Sequence, residues 1–392
     1  MPSNNDHGAW PRVIGQVRVK RILLSAMRAD RLAHAYLFHG SDGVGKDAMA
    51  LEFARVYHCE TSGEEACGKC ASCLRMNLME HPDVKFVIAL PVGKGEKSDD
   101  GPLAKLGEVE LAAIREQLKL KAENPYHRIS LPRANIIKIN SIREIRRESS
   151  MSTFGRKKRV CIISRADEMG EEASNTILKT LEEPSGSTML ILTTSHRESL
   201  LPTIASRCQA VRFDPLTEEE IRAALLERNH VEPQRAALVA RLSYGSYTQA
   251  LDLLDEDIMS QRQDVVSFVQ HVLGSSVVKL TEDIEKMAAP RDKDQVLRFL
   301  TLLLMWFRDA MVLARGGNVI NVDQQDGLHR FVAKFPEADL VKSVNDVERA
   351  ISLVNRNVYI TLALLQLAIK LRSNILASER HGAPVAVHED EE

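Results

Sequence analysis

Two hydrophobic periods interleave along the first half of the chain. Nearly unbroken apolar runs at residues 35–39 (AYLFH), 86–90 (FVIAL), 160–163 (VCII) and 188–194 (TMLILTT) have the length and composition of strands buried on both faces, as in open α/β sheets. Between them the spacing is helical. Residues 13–29 set Ile22, Leu23, Ala26 and Met27 on one face, 48–57 predict a second helix, and NTILKTLEE at 175–183 predicts another, stopped by Pro184, Ser185 and Gly186 because proline cannot continue the backbone ladder. Residues 91–132 are a long polar insertion, rich in glycine and charge at first, with one helix near 111–120; it reads as a surface excursion. Ser141 is placed to cap a helix bearing Arg143, Arg146 and Arg147, with Arg156, Lys157, Lys158 and Arg159 close behind, a pattern that usually marks a solvated face.

The second half changes character at Phe213-Asp214-Pro215-Leu216, which reads as a hinge. Thr217 and Glu220 form a capping box that opens a helix, the threonine accepting from free amides and the glutamate reaching back. A helix pair follows over 238–254, and helical spacing then runs through 265–273, 295–314 and 347–371. The chain closes on HEDEE, which reads as a disordered acidic tail.

Composition narrows the class. A chain of 392 residues suggests two or three domains, and 44% apolar with 27% charged residues is the balance of an ordinary globular protein. The most apolar stretch, 299–307, is flanked by Arg298 and Arg308 and is too short to span a membrane. The first ten residues, MPSNNDHGAW, lack the basic and apolar regions of a signal peptide, so the expected location is cytoplasmic. A net charge of −2 argues against a general nucleic-acid coat and leaves any such contact to a local basic patch.

Two motifs carry chemistry. Gly40-Ser41-Asp42-Gly43-Val44-Gly45-Lys46-Asp47 lies between a strand and a helix and matches G-x-x-x-x-G-K, but Asp47 stands where Ser or Thr would ligate Mg²⁺. The glycines and Lys46 suit phosphate. Asp47 sets a negative charge beside it, so ATP binding is expected to be weak or absent; the bland alternative is a glycine turn that merely joins strand to helix. Second, Cys59, Cys67, Cys70 and Cys73 fall within fifteen residues with the separations of a four-thiolate structural Zn²⁺ site. An iron–sulfur cluster is the rival, although the Cys-Pro that continues ferredoxin runs is missing. Cys161 and Cys208 read as core residues.

Taken in order, LKTLEEP at 178–184, Thr193 and Thr194 at a strand end with Thr194 as the sensor candidate, and Ser206-Arg207-Cys208 resemble the AAA+ clamp-loader subunits of DNA replication. The resemblance covers nearly the whole chain. It implies an α/β plus all-α fold: an AAA+ P-loop NTPase-type parallel sheet with a zinc knuckle over 1–214, a small helical lid over 215–262, a helical collar over 263–380 and the tail over 381–392. It places Gly40, Gly43, Gly45, Lys46, Asp47 and Thr194 at a degenerate nucleotide site and Arg207 in a loop, as an arginine finger acting in trans. Against the family pattern, Ser164-Arg165 replaces the Asp-Glu pair that holds Mg²⁺ and primes water, and Thr248 replaces the lid's phosphate-reading arginine. With Asp47 these are three departures in one direction. The resemblance is thus to the non-hydrolysing ring members of the bacterial DNA polymerase III clamp loader, whose partners are gamma/tau motor subunits and delta, and which act with them to place the sliding clamp on primed DNA; inside such a ring some of the basic residues of 143–159 could face DNA phosphates instead of solvent. An active gamma/tau-type motor and a purely structural ring spacer are the alternatives.

Overall fold

The computed structural model describes residues 10–376 apart from 62, 150–156, 185, 256–257, 275, 289–292, 318–323 and 356–357. The acidic tail and Arg156 lie outside the described residues. The chain divides into two compact units, residues 1–253 and 254–392.

The first unit is built on five parallel strands, β1 (Ala35–His39), β2 (Val84–Val87), β3 (Arg159–Ile163), β4 (Thr188–Thr194) and β5 (Gln209–Arg212), in the order β2-β3-β4-β1-β5. β1, β3 and β4 are buried along almost their whole length, as apolar runs flanked by helices on both sheet faces must be. Alternation along β1 divides the core. Ala35 and Leu37 point to one face, among Ile142, Ile145, Ile177 and Ile204 from α5 (Ile139–Ser149), α6 (Glu171–Glu182) and α7 (Pro202–Arg207). Tyr36 and Phe38 point to the other, where Tyr36 meets Phe53 edge-on at 6.1 Å and Phe38 lies 5.2 Å from Phe213. Phe53 belongs to α2 (Lys46–His58), beside α1 (Val17–Arg28).

Some elements differ from the sequence reading. The strand expected at 86–90 starts and ends earlier, at Val84 and Val87. Ser141 is no cap: α5 begins two residues before it, and Ser141 is buried inside the helix. The segment leading to Arg207 is a helix rather than a loop, opened by Pro202 at its first position, where the missing N–H costs nothing. The insertion is only partly a surface excursion. Its helix α4 (Glu108–Glu123) buries Ile114, Lys121 and Ala122, and the following loop buries Tyr126. α3 (Ala71–Asn77) carries the last cysteine of the cluster.

The sheet is followed in the same unit by α8 (Glu218–Asn229), α9 (Pro233–Leu242) and α10 (Tyr247–Asp255). The capping box of α8 is present in full, Thr217 Oγ1 accepting from Glu220 N and Glu220 Oε2 from Thr217 N. The second unit is all-helical among the described residues: α11 (Ile258–Leu273), α12 (Val277–Ala288), α13 (Lys293–Ala314), α14 (Gln325–Lys334), α15 (Leu340–Asn355) and α16 (Ile360–Leu376). Its core is formed around Leu300, Leu303, Phe307 and Ala310 of α13, packed with Val347 of α15 and Leu364 and Leu371 of α16. The helical spacing read over 347–371 is divided between α15 and α16. No described helix is long and apolar enough to cross a membrane.

Candidate functional site

Parallel strands present their C-terminal ends to one edge of the sheet, where such folds bind ligands. Register places His39 beside Thr194 and Phe38 beside Thr193, and β3 ends at Ile163 so that Ser164 reaches the same edge. From β1 the chain turns through the glycine loop into α2. Gly43 and Gly45 hold φ of +72° and +96°, where a side chain is strained, and a Cβ at Gly45 would meet the Tyr126 hydroxyl at 2.7 Å.

Lys46 does not reach into open space. Its ammonium donates to Gly40 O at 2.8 Å, Ser41 O at 2.6 Å and Ser195 Oγ at 3.0 Å, so all three protons are used within the protein. Burial lowers its pKa, against the pull of Asp42, Asp47 and Asp167.

Asp47 is the centre of a closed network. Ser164 Oγ donates to its Oδ2 and Thr193 Oγ1 to its Oδ1, both at 2.7 Å, and Lys121 Nζ lies 3.3 Å from Oδ2. Lys121 also donates to His127 O at 2.8 Å. Burial by itself would push the Asp47 carboxyl up, but the Lys121 ammonium and the two hydroxyls outweigh it and hold the carboxyl below its usual range. The acid and the hydroxyl that a Mg²⁺-binding P-loop enzyme carries on β3 and α2 respectively have here exchanged places.

The remaining candidates are also engaged. Thr194 Oγ1 donates to Asp167 Oδ1 at 2.7 Å and so turns away from Asp47, leaving Thr193 as the threonine on the network. Arg165, at the position of a water-priming acid, pairs with Glu168 at 2.6 Å. Thr248 Oγ1 donates to Tyr126 O at 3.0 Å. What is left between these groups is a cleft of about 90 Å³, lined by Gly43, Gly45, Lys46, Asp47, Thr194 and Thr248 among others; sites for organic ligands usually measure about 300–1,000 Å³.

Arg207 lies elsewhere and is not among the residues lining that cleft. At the end of α7 its guanidinium donates to Thr203 O at 3.1 Å and pairs with Glu182, the second-last acid of LKTLEEP, at 2.9 Å; both side chains remain more than a third exposed. Nearby, Arg143, Arg146, Arg147 and Lys179 line a groove with Glu182 and Glu183.

The four cysteines converge. Cys59, Cys67, Cys70 and Cys73 place their sulfurs all within 4.8 Å of one another, and a tetrahedron with metal–sulfur bonds of about 2.3 Å has edges of about 3.8 Å. Backbone amides of Lys69 and Cys70 point at Cys67 Sγ, from 3.5 and 3.4 Å, and that of Cys73 at Cys70 Sγ, from 3.4 Å. The Thr61 hydroxyl, with those two amides of Lys69 and Cys70, lowers the Cys67 thiol to about 5, whereas burial pushes the Cys73 thiol up to about 12. The residues fit a four-coordinate metal ion with no open position. Cys161 and Cys208 are buried in the core, away from this cluster.

Sequence reasoning missed Lys121, Tyr126 and Glu182. Nothing in QLKLKAENPY marks Lys121 as buried; the only hint was Asp47 itself, since an enclosed carboxylate requires a cation.

Residues 15–217 match the sequence profile of the family described as DNA polymerase III, delta subunit, and residues 256–373 that of its C-terminal region. The DNA polymerase III subunit delta' of Bacillus subtilis is 30% identical over 303 residues, 77% of this chain and 78% of that protein. The delta' subunit of Escherichia coli is 26% identical over 371 residues, 92% and 96% of the two chains. The tau subunit of Escherichia coli is 28% identical over 314 residues, which cover 79% of this chain but only 39% of tau. On these matches, and on a parallel sheet with a glycine loop at its C-terminal edge, the chain belongs to the delta' family of DNA polymerase III clamp-loader subunits.

Proposed function

We propose that this chain is a non-hydrolysing ring member that lends Arg207 to the ATP site of a neighbouring gamma/tau-type motor subunit, while delta and the motors act with it to place the sliding clamp on primed DNA. The observation that carries the reading is an asymmetry. Asp47, Ser164, Lys46 and Thr248 are all committed to internal partners, whereas Arg207 sits at the surface, outside the chain's own cleft. A guanidinium set against a γ-phosphate stabilises charge that develops during phosphoryl transfer. Its present partner is weak competition, because exposed ion pairs are worth about 0–1 kcal/mol. Glu182 therefore holds Arg207 in the free chain and yields it to a phosphate.

For the cysteine cluster the reading is one structural Zn²⁺, bound by Cys59, Cys67, Cys70 and Cys73. Zinc would cross-link the loop after α2 to α3 and supply no catalysis, since four thiolates leave no position for water.

Reconstitution tests the reading. The pure chain should turn over no ATP and should form a stable complex with gamma/tau and delta. Steady turnover by the pure chain, abolished by Lys46→Ala, would favour an active motor instead.

A further inference from the structure

We propose that residues 121–127 are a built-in ligand of the glycine-loop site, in which the Lys121 ammonium occupies the place of a divalent cation and Tyr126 makes the bridge to α10 that a bound nucleotide would otherwise make. The proposal rests on the reading that this chain's own site is not catalytic, and is independent of any role for Arg207.

Three contacts define what a ligand does at such a site: it brings a cation between the start of α2 and the end of β3, it lies against the glycine loop, and it ties the loop to the helices that follow the sheet. Residues 121–127 make all three. Lys121, with its side chain only 5% exposed, sets its ammonium 3.3 Å from Asp47 at the start of α2, and Asp47 is itself joined to Ser164 and Thr193 at the ends of β3 and β4. The ammonium's partners are a carboxylate oxygen, Asp47 Oδ2, and a carbonyl, His127 O, oxygens of the kind that hard cations take; here they hold nitrogen.

Tyr126 supplies the other two contacts. Its hydroxyl lies against Gly45, close enough that any side chain there would collide with it, and accepts from Ile14 N at 2.8 Å. Its ring meets Tyr247 of α10 edge-on at 4.9 Å, and its carbonyl accepts from Thr248. Tyr247 N in turn donates to Gly43 O at 3.0 Å. A short turn fixes this geometry, with Asn124 Oδ1 accepting from Tyr126 N at 3.0 Å. The N-terminal segment, the glycine loop and α10 are thus joined through one peptide segment of the same chain.

No acid in the segment replaces the phosphates. Lys46 compensates by folding onto the carbonyls of its own loop. The consequence is an arrangement of α10 on the sheet that needs no nucleotide and cannot follow a nucleotide cycle.

The test uses the full-length, zinc-loaded chain and Mn²⁺ as the probe. In Lys121→Ala, amide exchange at residues 13–16 and in the first turn of α10 should accelerate at least tenfold. Millimolar Mn²⁺ should bind at one further site, read by electron paramagnetic resonance, and restore protection. Asp47→Asn in the same background should abolish that binding, and the unsubstituted chain should show neither effect. Unchanged exchange in Lys121→Ala, or faster exchange with no response to Mn²⁺, would overturn the proposal. Should Lys121→Ala not fold, Tyr126→Ala, which keeps the Lys121–Asp47 pair, should release α10 while the sheet stays protected; an α10 as protected as before would overturn it equally.

Discussion

Replacing Asp47 by alanine should cost the first unit more stability than removing Asp47 and Lys121 together. In the single variant the Lys121 ammonium stays enclosed, 5% exposed, with His127 O as its remaining acceptor. Removing one partner of a buried pair costs about 3–5 kcal/mol. Asp47 retains 21% exposure, which lets some water reach the ammonium and favours the lower end, about 3 kcal/mol. The hydroxyls of Ser164 and Thr193 lose their acceptor as well, but these losses share one network and are not to be added. For a unit of this size, that corresponds to a fall in Tm of about 6–12 °C. In Asp47→Ala with Lys121→Met no charge is left unpaired, and most of the loss should return, as it does when buried ion pairs are replaced by apolar groups. Urea unfolding of the full chain, followed by Trp10 in a Trp306→Phe background, measures this: Trp10 is fully buried in the first unit, 6.1 Å from Phe53. A single variant that costs less than about 1 kcal/mol, or a double variant no more stable than the single, would refute the reasoning.

Three further outcomes are expected. The Asp47 carboxyl is held below its ordinary value of 3.8, so its contribution is complete above that pH and lost as pH falls through the folded-state pKa; the stability gap between the unsubstituted chain and Asp47→Asn should narrow only below about pH 4 in a urea series. Cys70→Ser should remove the bound metal, found as about one zinc per chain in the unsubstituted protein by metal analysis, and should raise amide exchange around α3, whose N-terminus Cys70 caps, more than in the sheet; full zinc retention would contradict the ligand set. Glu182→Gln frees Arg207 from its ion pair and should leave complex assembly unchanged while altering ATPase of the complex by no more than about fivefold, the worth of an exposed pair; a larger loss would make Glu182 more than a temporary partner.

How much of this could be read from residues alone depended on whether the signal was local. β1 and β4 are legible to the residue because their apolar runs are continuous and end at polar turns. β5 escaped: it is an edge strand with Val211 its one buried residue, too little for a two-residue period to register. Ser141 resembles a cap until tertiary packing buries it. In the site, the glycine loop, the cysteine spacing and the SRC triplet were legible because each is contiguous in sequence. The groups that fill the cleft were not, since Lys121 and Tyr126 come from a polar insertion and meet partners far away in the chain, Asp47 for the lysine and Ile14 and Tyr247 for the tyrosine.

The central claim is that this subunit gives catalysis to a neighbour and keeps none for itself. It is tested most directly by the clamp- and DNA-stimulated ATPase of a complex reconstituted from gamma/tau, delta and this chain carrying Arg207→Ala. The account predicts normal assembly with part of the ATPase lost, because one site in the ring borders this subunit, and no rescue by Arg207→Lys, which restores charge but not the planar fork. Unchanged ATPase and clamp loading in the assembled Arg207→Ala complex would contradict it and leave a structural spacer.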